Sequence, residues 1–168
     1  MYEFAQWLAR TQASQTIQTR PWIIPTIQSI HIVAIGIVIT SVLMVDLRIF
    51  GWAGRDQTLT QTTQRFASWL WGALCVLFVT GLLMVVGEPV RELMSLSFWL
   101  KMSLLTIGAT LAVAFQIRLQ RDERSLGESV KTKGLAILTL LVWCGIIILG
   151  RLIAYDRVWG SWSLKPTV

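Results

Sequence analysis

Residues 26–48 read TIQSIHIVAIGIVITSVLMVDLR, an apolar run that closes on a polar D-L-R. A stretch of about 20 mostly apolar residues is what an α-helix needs to cross a hydrocarbon core roughly 30 Å thick. Three further stretches meet the same length rule, near 66–86, 98–118 and 134–155. None alternates polar and apolar residues as a barrel strand would, and lipid offers no partner to backbone N–H and C=O groups, so the runs cross as helices. The expected fold is all-α: one integral membrane four-helix bundle over residues 1–168.

Composition agrees. The chain has 168 residues, 54% hydrophobic and 14% charged, with a mean hydropathy of +0.62, which is wrong for a soluble globule of that size. The net charge of +6 does not point to nucleic acid, because the basic residues sit in short connections between apolar runs instead of forming a stripe interleaved with aromatics.

Outside the spans the chain is economical. The N-terminal segment 1–20 sets Phe4, Ala5 and Leu8 near one another on a helical wheel, with Trp7 beside them and Thr11, Gln12, Ser14 and Gln15 as a polar remainder. It reads as a short amphipathic helix at the membrane interface, ended by Arg20-Pro21 and turned into the bilayer with the help of Pro25; a frayed polar terminus is the alternative. It lacks the basic cluster and small-residue cleavage site of a signal peptide and is expected to stay in the mature protein. The connections 51–65, 87–97 and 119–133 are too short to be domains.

Orientation follows from the basic residues close to span ends. Arg48, Arg55 and Arg65 flank the first connection, and Arg118, Arg121, Arg124, Lys131 and Lys133 the third. Their concentration there places both connections in the cytoplasm and both termini outside by the positive-inside rule. Trp22, Trp52, Trp69, Trp71, Trp99, Trp159 and Trp162 fall at or near the span ends, where an amphipathic ring is favoured. Trp143 is the exception: deep in the fourth span, its indole N–H needs a partner or faces a cavity.

With the helices antiparallel in turn, His31, Lys101 and Arg151 fall at about the same depth near the outer end. Facing inward, they would converge on an anion, a carboxylate-bearing ligand, cofactor propionates or a quinone carbonyl, with Glu88, Glu92, Tyr155 and Asp156 at the same end to neutralise or orient them. The competing reading is that Lys101 and Arg151 snorkel to water and His31 bonds a neighbouring helix. Gly108 and Ala112 share a face with Lys101, and Gly150 and Ala154 make a second small-xxx-small pair, which marks faces that pack. At the inner end Asp46 and Arg48, with Arg65 and Arg118, are expected to form a structural charge cluster paired across helices. Cys75 and Cys144 are candidate ligands for a soft metal together with His31, set against the commoner role of buried thiols in packing.

A single histidine excludes bis-histidine haem within one chain, and leaves a haem shared across a dimer, copper or a quinone as the cofactors open to it. Nucleophilic triads, paired catalytic carboxylates at depth, Walker loops and dinucleotide glycine motifs are absent, so an enzyme is not expected.

The run His31…Asp46-Leu-Arg48-Ile-Phe-Gly51, then Thr80-Gly81-Leu-Leu, Phe98-Trp-Leu-Lys101 and Gly150-Arg151-Leu-Ile-Ala-Tyr155 resembles small uncharacterised four-span inner-membrane proteins of bacteria, over nearly the whole chain. More distantly it resembles the copper-resistance D and cytochrome b561-type membrane modules, though the paired histidines of the latter are missing. The resemblance implies a multi-pass protein of the bacterial inner membrane. The expected function is a non-enzymatic ligand-binding or anchoring subunit linked to periplasmic redox or metal handling, alone or as a homo-oligomer or with a periplasmic partner. The alternative is a component of a transporter or channel for a metal ion or small anion.

Overall fold

A computed structural model describes residues 1–54, 56–121 and 130–153. Arg55, Arg124, Ala154, Tyr155, Asp156, Trp159 and Trp162, which figure in the sequence reading, lie outside the described residues. Seven helices are described: α1 (Tyr2–Ala9), α2 (Gln12–Thr19), α3 (Ile23–Ile49), α4 (Leu59–Gly87), α5 (Pro89–Leu93), α6 (Leu96–Arg121) and α7 (Val130–Leu152). Four of them, α3, α4, α6 and α7, are long and apolar enough to cross a membrane.

Each long helix begins before the run expected to span, and in α4 and α6 local polar chemistry starts the helix. α4 opens on a capping box: Thr58 Oγ1 accepts from Gln61 N at 3.2 Å while Thr58 N donates to Gln61 Oε1 at 3.0 Å, which makes the polar stretch LTQTTQR helical. α6 follows Ser95, whose Oγ accepts from Phe98 N at 3.3 Å. α3 includes Pro25; in a first turn the N–H that proline lacks has no intrahelical partner to lose. At its other end Gly51 takes φ +72°, Gly51 N donates to Arg48 O and Trp52 N to Leu47 O, the paired bonds of a Schellman stop, which glycine enters without steric cost.

The spans pack as two hairpins, α3 with α4 and α6 with α7, joined along α3 and α7. Val38, Val42, Leu70, Ala73, Val142, Trp143 and Ile146 fill the middle of the bundle, and Ile49, Leu59, Leu119 and Ala136 form a second cluster at the end where the connection 51–58 lies; we call that end the base. Gly108 lets α6 approach α7: a Cβ there would meet Val142 Cγ1 at 3.4 Å and the Trp143 ring at 3.7 Å. Outward-facing apolar residues such as Ile32 (64% exposed), Phe78 (65%) and Leu141 (63%) are the surface a bilayer covers.

The amphipathic N-terminal segment divides into two helices. Thr11 caps α2 by accepting from Ser14 N at 3.4 Å, and this breaks the segment after α1. Together with α5 these helices form a roof over the end opposite the base: α1 packs on α5, and α2 on α4 and α3. Ala5 and Ser14 are fully buried there. The tightest point is Gly87, where a Cβ would lie 2.7 Å from Ile24 Cδ1 and 2.9 Å from Ile17 Cγ2. Gly87→Val is therefore expected to destabilise the protein by about 1–3 kcal/mol through overpacking, read as a lowered midpoint of thermal unfolding in detergent.

Candidate functional site

Polar chemistry gathers in two places, one under the roof and one nearer the base. Under the roof, His31 is buried on α3, its Nδ1 2.7 Å from Thr80 Oγ1 on α4. The Thr80 hydroxyl donates to Val76 O at 2.7 Å. With its one proton directed there, Thr80 accepts from His31 Nδ1–H, which leaves Nε2 the lone-pair nitrogen. Gly81 adjoins the same ring: a Cβ on it would stand in ordinary contact, 3.9 Å from His31 Cε1.

Lys101, half-buried on α6, runs its side chain over Gly150 of α7, where a Cβ would come within 3.5 Å of Nζ. It lies in electrostatic reach of His31 and of Glu92. Arg91 pairs with Glu88 and reaches Glu92 at 3.6 Å. Burial raises the Glu92 carboxyl above its ordinary value of 4.5, against the opposing pull of Arg91 and Lys101. The structure thus brings together His31, Lys101, Glu88 and Glu92 as one network with Arg91 between the carboxylates. Arg151 is exposed on α7, and Tyr155 and Asp156 are outside the described residues.

Near the base, the expected cluster of Asp46, Arg48, Arg65 and Arg118 is not drawn together. Arg48 donates from Nε and Nη2 to Gln57 O at 2.9 and 2.6 Å, clamping the connection to α3. Arg65 and Arg118 are exposed. Asp46 is 5% exposed, and its Oδ2 has no hydrogen-bond partner among the described residues.

Asp46 instead belongs to the lining of a partly open, mainly apolar cavity of about 70 Å³ between α3, α4, α6 and α7. Two more buried polar atoms without partners, Thr63 Oγ1 and Trp143 Nε1, belong to residues of the same lining. Ser41, Gln116, Thr132 and Thr139 add further oxygens, set among Leu70, Leu111, Phe115 and other apolar side chains. Thr132 lies close to the base, whereas Thr139 and Trp143 are nine and thirteen residues along α7 from Val130, about 14 and about 20 Å by the helical rise. The chamber therefore runs from the middle of the bundle to the helix ends.

Buried polar groups are hydrogen-bonded as a rule; five side-chain atoms among the described residues are not, Asp46 Oδ2, Thr63 Oγ1, Arg91 Nε, Ser97 Oγ and Trp143 Nε1, and three of them belong to residues that line this one cavity. Sequence reasoning singled out Trp143 and Asp46 but did not connect them, and it missed Thr63 altogether. A signal existed: Thr132, Thr139 and Trp143 are spaced seven and four apart, which puts them on one stripe of α7.

The two cysteines do not build a metal centre with His31. Cys75 and Cys144 are free and exposed on α4 and α7, and among the described residues no group of three or more His, Cys, Asp or Glu is placed to hold a metal ion.

Two outcomes are expected of the roof. Thr80→Val leaves His31 Nδ1–H buried without an acceptor and lowers stability by about 1–3 kcal/mol, while Thr80→Ser restores it; thermal unfolding of the three proteins decides. Glu92 holds its proton more tightly folded than unfolded, so its contribution is complete below the unfolded value near 4.5 and is lost as pH rises through the higher folded value. Unfolding midpoints measured against pH should show that fall in the wild type and not in Glu92→Gln.

No curated protein matches this chain, and no solved structure matches it. The distant likeness to copper-resistance D and cytochrome b561-type modules accordingly has no support. A family model does match, over residues 7–156, and takes in all four spans. The chain belongs to that family, DUF6644, described as a family of unknown function.

Proposed function

We propose that this multi-pass membrane protein is a non-enzymatic binding module whose ligand chamber lies among its four spans. The observation that carries the reading is that three residues with a buried, unpartnered side-chain atom, Asp46 (Oδ2), Thr63 (Oγ1) and Trp143 (Nε1), all belong to the lining of one cavity. Leaving three such groups unmet costs several kcal/mol, on the order of 1–3 for each, and an occupant with complementary polarity offsets that cost. The concentration of Lys and Arg at the span ends beside the first and third connections supports an orientation in a bacterial inner membrane with both termini periplasmic, and in that orientation the chamber belongs to the cytoplasmic half.

The reading moves the expected ligand site from the roof to the base. Under the roof, Arg91 is paired with Glu88 and Glu92 and Lys101 lies in electrostatic reach of Glu92, so negative charge already stands near both cations. A second reading, a component of a transporter, is favoured by the chamber's reach from mid-bundle to the helix ends at Ile49, Thr63 and Thr132. Anchoring of a partner protein would fall to the roof, where Phe4 and Trp7 stack at 5.8 Å and are both exposed.

Access to the chamber tests the proposal. In a Cys75→Ala/Cys144→Ala background, Thr63→Cys is expected to react with a membrane-impermeant maleimide in inverted membrane vesicles and not in right-side-out ones. Reaction from neither side would mean a sealed chamber and would remove the reading. Reaction from the opposite side would reverse the orientation and keep the chamber.

A further inference from the structure

A second concavity lies on the lipid-facing side of the bundle. It is an open groove of about 560 Å³ along the outer seam of α3 and α4, walled by Ile30, Val33 and Ile37 of α3 and by Trp69, Gly72 and Val76 of α4. Volumes of roughly 300–1,000 Å³ are those of sites that take a whole organic ligand. Ile30, Val33, Trp69 and Val76 are exposed, and Gly72 leaves the floor open, since a Cβ there would meet nothing within 4 Å.

The end of the groove nearer the base is cationic. Arg65, Trp69, Gly72 and Val76 recur at the i, i+4, i+7, i+11 spacing of one helical stripe, so Arg65 stands one turn below Trp69 on the same wall. It is exposed and has no ion pair among the described residues. On α3, Arg48 lies eighteen residues, or five helical turns, from Ile30 and brings a second positive charge to that end. From Arg65 to Val76 is eleven residues, about 16 Å by the helical rise, against about 15 Å for half of the hydrocarbon core. The wall is one leaflet deep.

We infer that this groove binds one anionic phospholipid from the leaflet on the base side, with its phosphate at Arg65 and one acyl chain laid over Gly72 between the apolar walls. The site is separate from the proposed chamber and stands whether or not the chamber takes a ligand. Charge decides the occupant. A guanidinium meets a phosphate through paired N–H donors, and basic residues at a span end beside an apolar seam are an arrangement that recognises acidic headgroups. A zwitterionic lipid brings its own ammonium to the same end and gains less. Trp69, exposed one turn from Arg65, stands at the level where an indole N–H meets lipid oxygens and its ring meets hydrocarbon. A second copy of this chain fits poorly. Inserted in the same direction, it brings its own Arg48, Arg65, Arg118, Lys131 and Lys133 to the same depth, where like charges repel.

The test is native mass spectrometry of the full chain in a non-ionic detergent, with palmitoyl-oleoyl phosphatidylglycerol and palmitoyl-oleoyl phosphatidylcholine added in equal amounts. One phosphatidylglycerol per chain is expected, bound in preference to phosphatidylcholine by at least about fivefold, the worth of one basic side chain at an anionic lipid surface. Arg65→Gln should abolish the preference and leave weak binding of both lipids. Gly72→Leu fills the floor at a position where an added Cβ meets no other atom, and it should displace both. Arg118→Gln, on α6 and away from this seam, should change neither. Retained helical circular dichroism identifies each variant as folded. Equal binding of the two lipids by the wild type, a preference that survives Arg65→Gln, or an equal loss in Arg118→Gln would overturn the inference. So would a lipid-free dimer that Gly72→Leu dissociates, since that result gives the groove to a second copy of the chain.

Discussion

Within a bilayer no water is at hand, so each hydroxyl, amide and charge on a span must find its partner in the protein. Most polar side chains in these helices solve the problem locally, by donating back to the carbonyl one turn earlier: Ser41 to Ile37, Thr80 to Val76, Ser103 to Trp99, Thr106 to Met102, Thr110 to Thr106 and Thr139 to Leu135. Such bonds let Ser and Thr sit in an apolar helix without requiring anything of its neighbours. Against that background the polar atoms that are not met in this way stand out, and they define the two places where the protein does something other than span.

Under the roof the solution is largely mutual, with Arg91 Nε and Ser97 Oγ left without a partner among the described residues. His31 borrows the Thr80 oxygen, Arg91 sits between Glu88 and Glu92, and Lys101 stretches over Gly150 towards the same carboxylate. The helices α1, α2 and α5 close over this network and are held by the close approach at Gly87. The roof reads as a charge-balanced lock between the ends of the spans. From the base to mid-bundle the solution is incomplete within the protein: Asp46, Thr63 and Trp143, which line one cavity, each keep a buried polar atom with no partner among the described residues. A missing partner in lipid is a larger penalty than in a wetted cleft, and for that reason the chamber, not the more heavily charged roof, is the stronger candidate site.

The sequence by itself determined the solvent and the class of fold. Four apolar runs of spanning length leave the backbone no arrangement except helices, whatever the detailed packing, and the spacing of Gly108 from Ala112 already marked a face of close approach that the structure uses against Trp143. It also identified the two odd residues of the site, Asp46 as an acid within a span and Trp143 as an indole at depth, since each is unfavourable in lipid irrespective of its neighbours. Helix starts were less legible, because a capping box such as Thr58–Gln61 lengthens a helix through polar residues that a search for apolar runs passes over.

Only the tertiary structure decided which polar groups meet. Asp46 and Arg48 stand two residues apart on α3, and the expected pairing of charges near them failed because the Arg48 guanidinium is taken by the Gln57 carbonyl, a bond set by the path of the connection. Thr63 became a site residue only when α4 placed it opposite Asp46 on the same chamber, for a threonine read alone is one more residue able to bond its own helix. Periodicity fixes which residues share a face of one helix, but the rotation of four helices about their axes fixes which faces meet, and that rotation is settled by packing across the bundle, between residues far apart in the chain.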